Sequence, residues 1–145
     1  MSIYTEEVAK HGSFVMIHRL HPRTKRSQFL AVDYRSQYGN PDGEYGPIQV
    51  KFPGGTNKGH PGEHPDETAV RELEEETGFI VPQRGDFWND MESPHCKHFY
   101  FVERKECRGR LKEGVHQDDD GDEIRAYWLD VTVALKKMFG PHCRA

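Results

Sequence analysis

Cysteine is rare in this chain. Cys96, Cys107 and Cys143 are the three present, an odd number that fits free thiols in a reducing compartment better than a disulfide framework. Long hydrophobic runs are missing too: no apolar stretch approaches the ~20 residues needed to span a bilayer. The opening MSIYTEEVAK has neither a basic n-region nor an apolar h-region, so a cytoplasmic protein without a membrane partner is expected. Charge of one sign is also lacking. The 20 basic and 24 acidic residues leave a net charge of -4, too small for a global field that grips a nucleic-acid backbone, and no stable nucleic-acid partner is expected. A bound polyphosphate would have to be held by local groups or by a metal. Internal repeats and low-complexity tails are absent, and 145 residues suit a single domain over 1–145 that buries roughly 70% of its unfolded surface.

Histidine is plentiful, with nine residues. His95, Cys96 and His98 lie close together and His142 and Cys143 sit near the end, yet the spacing matches no zinc finger or ribbon. On a strand, residues 95 and 98 point to opposite faces. A structural zinc site is therefore disfavoured.

Ser13–Leu20 (SFVMIHRL) and Gln28–Ser36 (QFLAVDYRS) are rich in apolar, β-branched and aromatic residues and read as strands, with PRTK in the connection between them. Gln37–Pro47 (QYGNPDGEYGP) holds three glycines and two prolines and reads as a long surface loop. Ile48–Phe52 alternates as a half-buried strand and runs straight into Pro53-Gly54-Gly55, where the strand ends and a flexible loop follows. A short strand near Phe79–Pro82, a polar loop, strands at His98–Arg104 and Ile124–Asp130, and a closing helix over Thr132–Phe139 stopped by Gly140-Pro141 complete the pattern. Such an order implies an α/β fold, a mixed sheet with helices packed on it.

The densest feature is acidic. Seven carboxylates fall within the fourteen residues Glu63–Glu76, inside a segment with clear helix ends: Pro65 suits the first helical position, Asp66 and Glu67 face the positive dipole end, and Gly78 is the stop. Ala69, Val70 and Leu73 form an apolar stripe. Glu72, Glu75 and Glu76 share a different edge, and Glu74 points elsewhere. Like charges at these spacings cost a few tenths of a kcal/mol per pair, by rough peptide measures, unless a cation offsets them. A hard divalent ion would do so. A solvated face is the other reading, because Glu67, Arg71 and Glu75 form an i, i+4 ladder of alternating sign. The glycine-rich stretch before the helix favours the cation, since backbone groups there can approach a phosphate or ligate a metal.

Glu63 is followed by seven residues and then by Arg71-Glu72-Leu73-Glu74-Glu75-Glu76-Thr77-Gly78-Phe79. This stretch resembles the signature box of the Nudix hydrolases, MutT-like enzymes, at every fixed position of that half. Seven residues, TNKGHPG, separate Gly55 from Glu63 where the pattern has five, a two-residue insertion. The resemblance implies an α/β/α sandwich around a central mixed sheet. It also implies a pyrophosphohydrolase that cleaves the diphosphate of a nucleoside diphosphate linked to another moiety, with Mg²⁺ or Mn²⁺ as cofactor. By carry-over, Glu75 and Glu76 are metal ligands, Glu72 is a ligand or the base that orients the attacking water, Arg71 and Glu63 orient the glutamates, and the Gly55 backbone completes the coordination. A catalytically silent nucleotide-binding module is the alternative. The resemblance also admits a homodimer, although no exposed apolar stripe demands one.

HQDDDGDE, residues 116–123, is a second acidic cluster that fails the EF-hand pattern because His116 falls on the first calcium position. It reads as a solvated turn or as the source of an additional carboxylate for the site, with Asp122 or Glu123 the choice. For the substrate, a nucleotide-like small molecule, Tyr38 and Tyr45 in the long loop and Phe87 and Trp88 after the helix are stacking candidates. Arg35, Lys51 and Lys58 are candidates for phosphate.

Overall fold

The computed structural model describes residues 9–37, 45–81, 88–92 and 97–138, with the backbone alone for 88–92. β1 (Gly12–Leu20) and β2 (Ser27–Arg35) form an antiparallel hairpin that pairs only near its turn, His18 with Phe29 to Leu20 with Ser27. Beyond that point the two strands diverge. β3 (Gln49–Lys51) pairs with the far half of β2, and β4 (Gly54–Thr56) pairs with the far half of β1. The opening between the diverging strands is thereby filled by Phe52 and Pro53 and by two short strands, and the Pro53 carbonyl accepts the Val15 N–H at 2.8 Å.

The sheet runs β6 (Trp88–Glu92), β7 (Lys97–Glu103), β1, β2, β10 (Glu123–Asp130), β9 (His116–Gln117). β7 lies parallel to β1 and the other pairs are antiparallel, so the sheet is mixed as expected. A two-stranded ribbon of β5 (Phe79–Ile80) and β8 (Arg108–Gly109) stands beside it, with a 3₁₀ turn at Arg104–Glu106.

Alternation along the strands sends side chains to two cores. Val15, Ile17, Leu30, Val32, Tyr100, Val102, Ile124 and Ala126 meet Ala69 and Leu73 of α1 (Pro65–Thr77) on one face. Phe14, Ala31, Phe52, Phe99 and Leu129 meet Ala134 of α2 (Val131–Lys137) and Met138 on the other. The result is an α/β/α sandwich. Tyr127 and Trp128 are both half-buried and pack against opposite faces.

α1 begins at Pro65 and ends at Gly78, which takes the left-handed φ of 84° and donates its N–H to the Glu74 carbonyl at 2.9 Å. Its last turn contains no basic residue. Lys112, far along the chain, supplies the missing cation by donating Nζ to the Glu75 carbonyl at 2.7 Å.

Several sequence expectations are corrected. Val70 is only half-buried, while Thr68, Glu76 and Thr77 are buried beside Ala69 and Leu73, because contacts to the preceding loop turn that edge inward. Gly54 and Gly55 belong to a strand: a Cβ on Gly54 would lie 2.1 Å from the Ser13 carbonyl oxygen, so glycine alone permits this pairing. The polar loop after residue 82 contains strand β6. The closing helix starts one residue early at Val131, and Met138 leaves it to bridge to Val50. Phe139 and the Gly140-Pro141 stop lie outside the described residues, as do Cys96, Cys143, His95 and His142. Cys107 is buried, with Sγ 3.8 Å from the Glu103 carbonyl oxygen, and no helix among the described residues is long and apolar enough to cross a membrane.

The buried stripe of α1 should carry much of the stability. Leu73→Ala is expected to cost about 2–5 kcal/mol in chemical denaturation, whereas Glu74→Ala, on the exposed edge, should stay within about 0.5 kcal/mol of the parent.

Candidate active site

At the opening between β1 and β2, the carboxylate edge of α1 faces the glycines of β4 across a cleft of about 480 Å³. Glu72, Glu75 and Glu76 line it together with Gly54, Gly55, Lys51, Lys58 and Arg71. A Cβ on Gly55 would meet the Glu72 carboxylate at 2.6 Å, so a larger residue here would push that side chain out of its present place. The same close approach brings the backbone within reach of whatever the glutamates hold.

Each glutamate is fixed differently. Glu76 is 2% exposed and accepts the Gly54 N–H at 2.7 Å. Glu72 accepts from Arg71 Nη1 at 3.0 Å, and Glu75 accepts the Asp119 N–H at 3.0 Å while lying 3.6 Å from the same Arg71 nitrogen. Glu63 grips the guanidinium from the other side, taking Arg71 Nε at 2.8 Å and Nη2 at 2.9 Å, and Nη2 also donates to the Thr56 carbonyl at 3.1 Å. Such a bidentate pair sets orientation as well as charge. Burial pushes Glu63 up, but the bonds from Arg71 and Thr68 outweigh it and hold the carboxyl below its usual range. The Glu63 bond in turn keeps Arg71 firmly protonated against its own desolvation.

Burial pushes Glu72 up to about 7, against the pull of Arg71, and Glu76 up to about 7, against Lys51 and the Gly54 N–H. Two carboxylates are thus held where a neutral form competes with the anion, which is the signature of an edge short of positive charge. Three carboxylates and a close backbone form a hard-oxygen donor set of the kind Mg²⁺ or Mn²⁺ takes. The residues present fit a divalent cation.

The inserted loop is ordered by its own bonds. The Asn57 carbonyl accepts His60 N–H at 2.9 Å and the His60 carbonyl accepts Glu63 N–H at 3.0 Å, two turns in succession that absorb the extra residues. Asn57 is buried at the root of the loop, and Lys58, Gly59 and His60 form part of the cleft wall.

The acidic turn also reaches the cleft, through Asp118, Asp119 and Asp120. Asp122 and Glu123, the carboxylates favoured from the sequence, are not brought there. Asp122 is buried, with its oxygens taken by the Tyr34 hydroxyl and the Gln37 N–H, and Glu123 sits 3.8 Å from Arg35 beside a separate hollow. The three carboxylates of Asp118, Asp120 and Asp122 lie within 4.8 Å of one another, with the Asp118 side chain accepting the N–H groups of Asp120 and Asp122. A backbone turn of this kind cannot be resolved residue by residue from charge pattern.

Lys51 and Lys58 do line the cleft. Lys51 Nζ lies 4.5 Å from the Tyr34 ring centroid. Arg35 and Tyr45 serve the loop instead: Arg35 Nε donates to the Gly46 carbonyl at 3.1 Å, and the Tyr45 hydroxyl donates to the Gly121 carbonyl at 3.1 Å. Tyr38 and Phe87 lie outside the described residues, and so does the Trp88 side chain. Sequence reasoning missed Tyr34, Phe14, Thr56 and His60 as cleft residues. The alternation of QFLAVDYRS could have singled out Tyr34, while the others depend on which strands meet.

The raised carboxyls give a sign to pH dependence. A carboxyl whose folded pKa exceeds its unfolded value binds its proton more tightly when folded, so the stability it contributes is present at low pH. That contribution is lost as pH rises from the ordinary 4.5 through about 7. The metal-free protein is expected to lose on the order of 3 kcal/mol through Glu76 between about pH 5 and pH 8. Thermal melts should show Glu76→Gln flattening this fall, and added Mg²⁺ raising the melting temperature of the parent at pH 8 more than at pH 5.

Comparison with known proteins follows the same lines. The NUDIX domain family matches residues 11–143, and a search of curated proteins finds no match. Among solved structures, MutT from a study of the Aliivibrio salmonicida and Vibrio cholerae proteins is similar at a TM-score of 0.58 and 18% identity, over 91% of this chain and 88% of that one. The NUDIX domain of Shewanella oneidensis NrtR, in complex with ADP ribose, is similar at a TM-score of 0.58 and 12% identity, over 99% and 88%. The Escherichia coli ORF135 protein is similar at 0.53 and 20%, over 92% and 81%. At these identities the three structures speak for the fold, and the family match spans both the sheet and the glutamate edge it presents. On that match the chain belongs to the Nudix family.

Proposed function

We propose that this chain, as one domain, is a divalent-metal-dependent pyrophosphohydrolase that cleaves the diphosphate linkage of a nucleoside diphosphate joined to another moiety. The observation that carries the reading is the convergence of Glu72, Glu75 and Glu76 on one edge of the cleft, opposite Gly55, with Glu72 anchored by Arg71. Glu75, Glu76, the Gly55 backbone and Glu72 would hold Mg²⁺ or Mn²⁺, which when bound neutralises the diphosphate and makes a water more acidic.

The chain's own groups account for the rest. Where Glu72 is not taken up as a ligand, its carboxylate at the edge of the cleft is placed to accept a proton from the attacking water. Arg71 fixes the direction of that carboxylate, and Glu63 fixes Arg71. Lys51 and Lys58 on the wall supply positive charge for phosphate oxygens. Asp118, Asp119 and Asp120, across from the helix, are the candidates for an additional carboxylate.

A catalytically silent nucleotide-binding module is the second reading, favoured by the ADP ribose complex formed by the NUDIX domain of NrtR. The complete glutamate edge supports hydrolysis, because a pure binder has no need to keep a base.

A panel of diphosphate compounds, including ADP-ribose, nucleotide sugars, dinucleoside polyphosphates and nucleoside triphosphates, should be assayed with Mg²⁺ or Mn²⁺. Turnover of at least one compound is expected. Glu75→Gln, Glu72→Gln and a chelated control should each lower it by about two orders of magnitude or more. Binding of a panel member without any turnover would favour the silent module.

A further inference from the structure

The network that holds Arg71 does not end at Glu63. Besides the two guanidinium nitrogens, Glu63 Oε1 accepts the Thr68 hydroxyl at 2.6 Å. Thr68 Oγ in turn stands 2.8 Å from Nε2 of His11. His11 is 5% exposed and immediately precedes β1. Its other ring nitrogen, Nδ1, lies 3.0 Å from the Ala9 carbonyl oxygen, and its backbone is tied to the root of the inserted loop by His11 N–H to Asn57 Oδ1 at 3.0 Å. The His98 ring meets it edge-on at 6.0 Å.

Counting protons gives this chain a direction. A neutral imidazole has one N–H to give, and the tautomer that carries it on Nε2 is the one that completes the chain. The Thr68 hydroxyl has one proton, and Glu63, kept ionised by Arg71, takes it. Nε2 therefore donates to Thr68 Oγ, and every bond from His11 onward points towards the Glu63 carboxylate. Glu63 then receives three donors on two oxygens and has no freedom to turn away from Arg71. That matters because Arg71 Nη1 stands between two acceptors, 3.0 Å from Glu72 and 3.6 Å from Glu75. A looser Glu63 would let the guanidinium drift from the first to the second.

We propose that His11 is a positioning residue for the Glu72 carboxylate, acting through Thr68, Glu63 and Arg71. Its kinetic consequence rests on the hydrolase reading above, whereas its effect on Arg71 does not. A histidine that merely filled space would leave Arg71 indifferent to its hydrogen bonds, and Thr68 lies 57 residues away in sequence, so no local turn brings the two together.

The test uses the full chain and four forms: the parent, His11→Leu, His11→Gln, which keeps a side-chain donor, and Thr68→Val. Solvent exchange of the Arg71 Nε–H is read by NMR on the metal-free protein, and kcat and KM are read with Mg²⁺ on a compound the parent cleaves. His11→Leu and Thr68→Val are expected to speed the exchange and to lower kcat roughly 10- to 100-fold with KM within about twofold, while His11→Gln retains most of both properties. Parent-like exchange and kcat in Thr68→Val, or in a folded His11→Leu, would overturn the proposal. Should His11→Leu fail to fold, Thr68→Val breaks the same link from the other side and decides the matter alone. Should the parent cleave nothing, the hydrolase reading falls. Arg71 exchange then settles the positioning role, upheld by faster exchange in the variants and overturned by unchanged exchange.

Discussion

The close approach of the Gly54-Gly55 backbone to two neighbours is the constraint on which the rest depends. On one side, Gly54 lies so near β1 that a Cβ would stand 2.1 Å from the Ser13 carbonyl oxygen; on the other, Gly55 lies so near α1 that a Cβ would stand 2.6 Å from the Glu72 carboxylate. One dipeptide therefore closes the opening between β1 and β2 and brings backbone against the acidic edge of the helix. The Gly54 N–H bonded to Glu76 joins the two contacts. A larger residue at position 54 would break the pairing of β4 with β1, and one at position 55 would displace the Glu72 carboxylate.

Concentrating carboxylates in such a place is costly without compensation. The chain provides it from several distances in sequence: Arg71 within the helix, Lys51 from the strand end, and Lys112 from a remote segment that caps the helix C-terminus. Even so, Glu72 and Glu76 are left above the ordinary carboxylate range. A site poised in this way gains most from a bound cation, so stability and function draw on the same missing charge. The hydrogen bonds that run from His11 to Arg71 extend the arrangement beyond the groups that face the cleft.

Much of the fold was legible in advance where a local rule governs it. The ends of α1 follow from Pro65 and Gly78, since a missing N–H and a left-handed φ are properties of single residues. The main strands follow from the apolar, β-branched and aromatic runs in SFVMIHRL and QFLAVDYRS. The pieces that escaped were β4, β6, β8 and β9, short segments whose only reason to be strands is a partner elsewhere in the chain. Val70 was misplaced for a similar reason: hydropathy assigns it to the core, but the buried edge of the helix carries Thr68, Glu76 and Thr77, whose partners are distant in sequence or in the backbone.

The sequence by itself carried the resemblance to the Nudix box, which singled out Glu63 and Arg71, and it placed Glu72, Glu75 and Glu76 on one edge of a helix, because a 3.6-residue period brings positions i, i+3 and i+4 together. Only the tertiary structure decided what surrounds them. Which aspartates of residues 118–122 reach the cleft, why Arg35 and Tyr45 brace a loop instead, and how His11 comes to stand against Thr68 all depend on strands meeting across long separations. Those pairings are set by burial and backbone hydrogen bonding of the whole sheet, which no local pattern encodes.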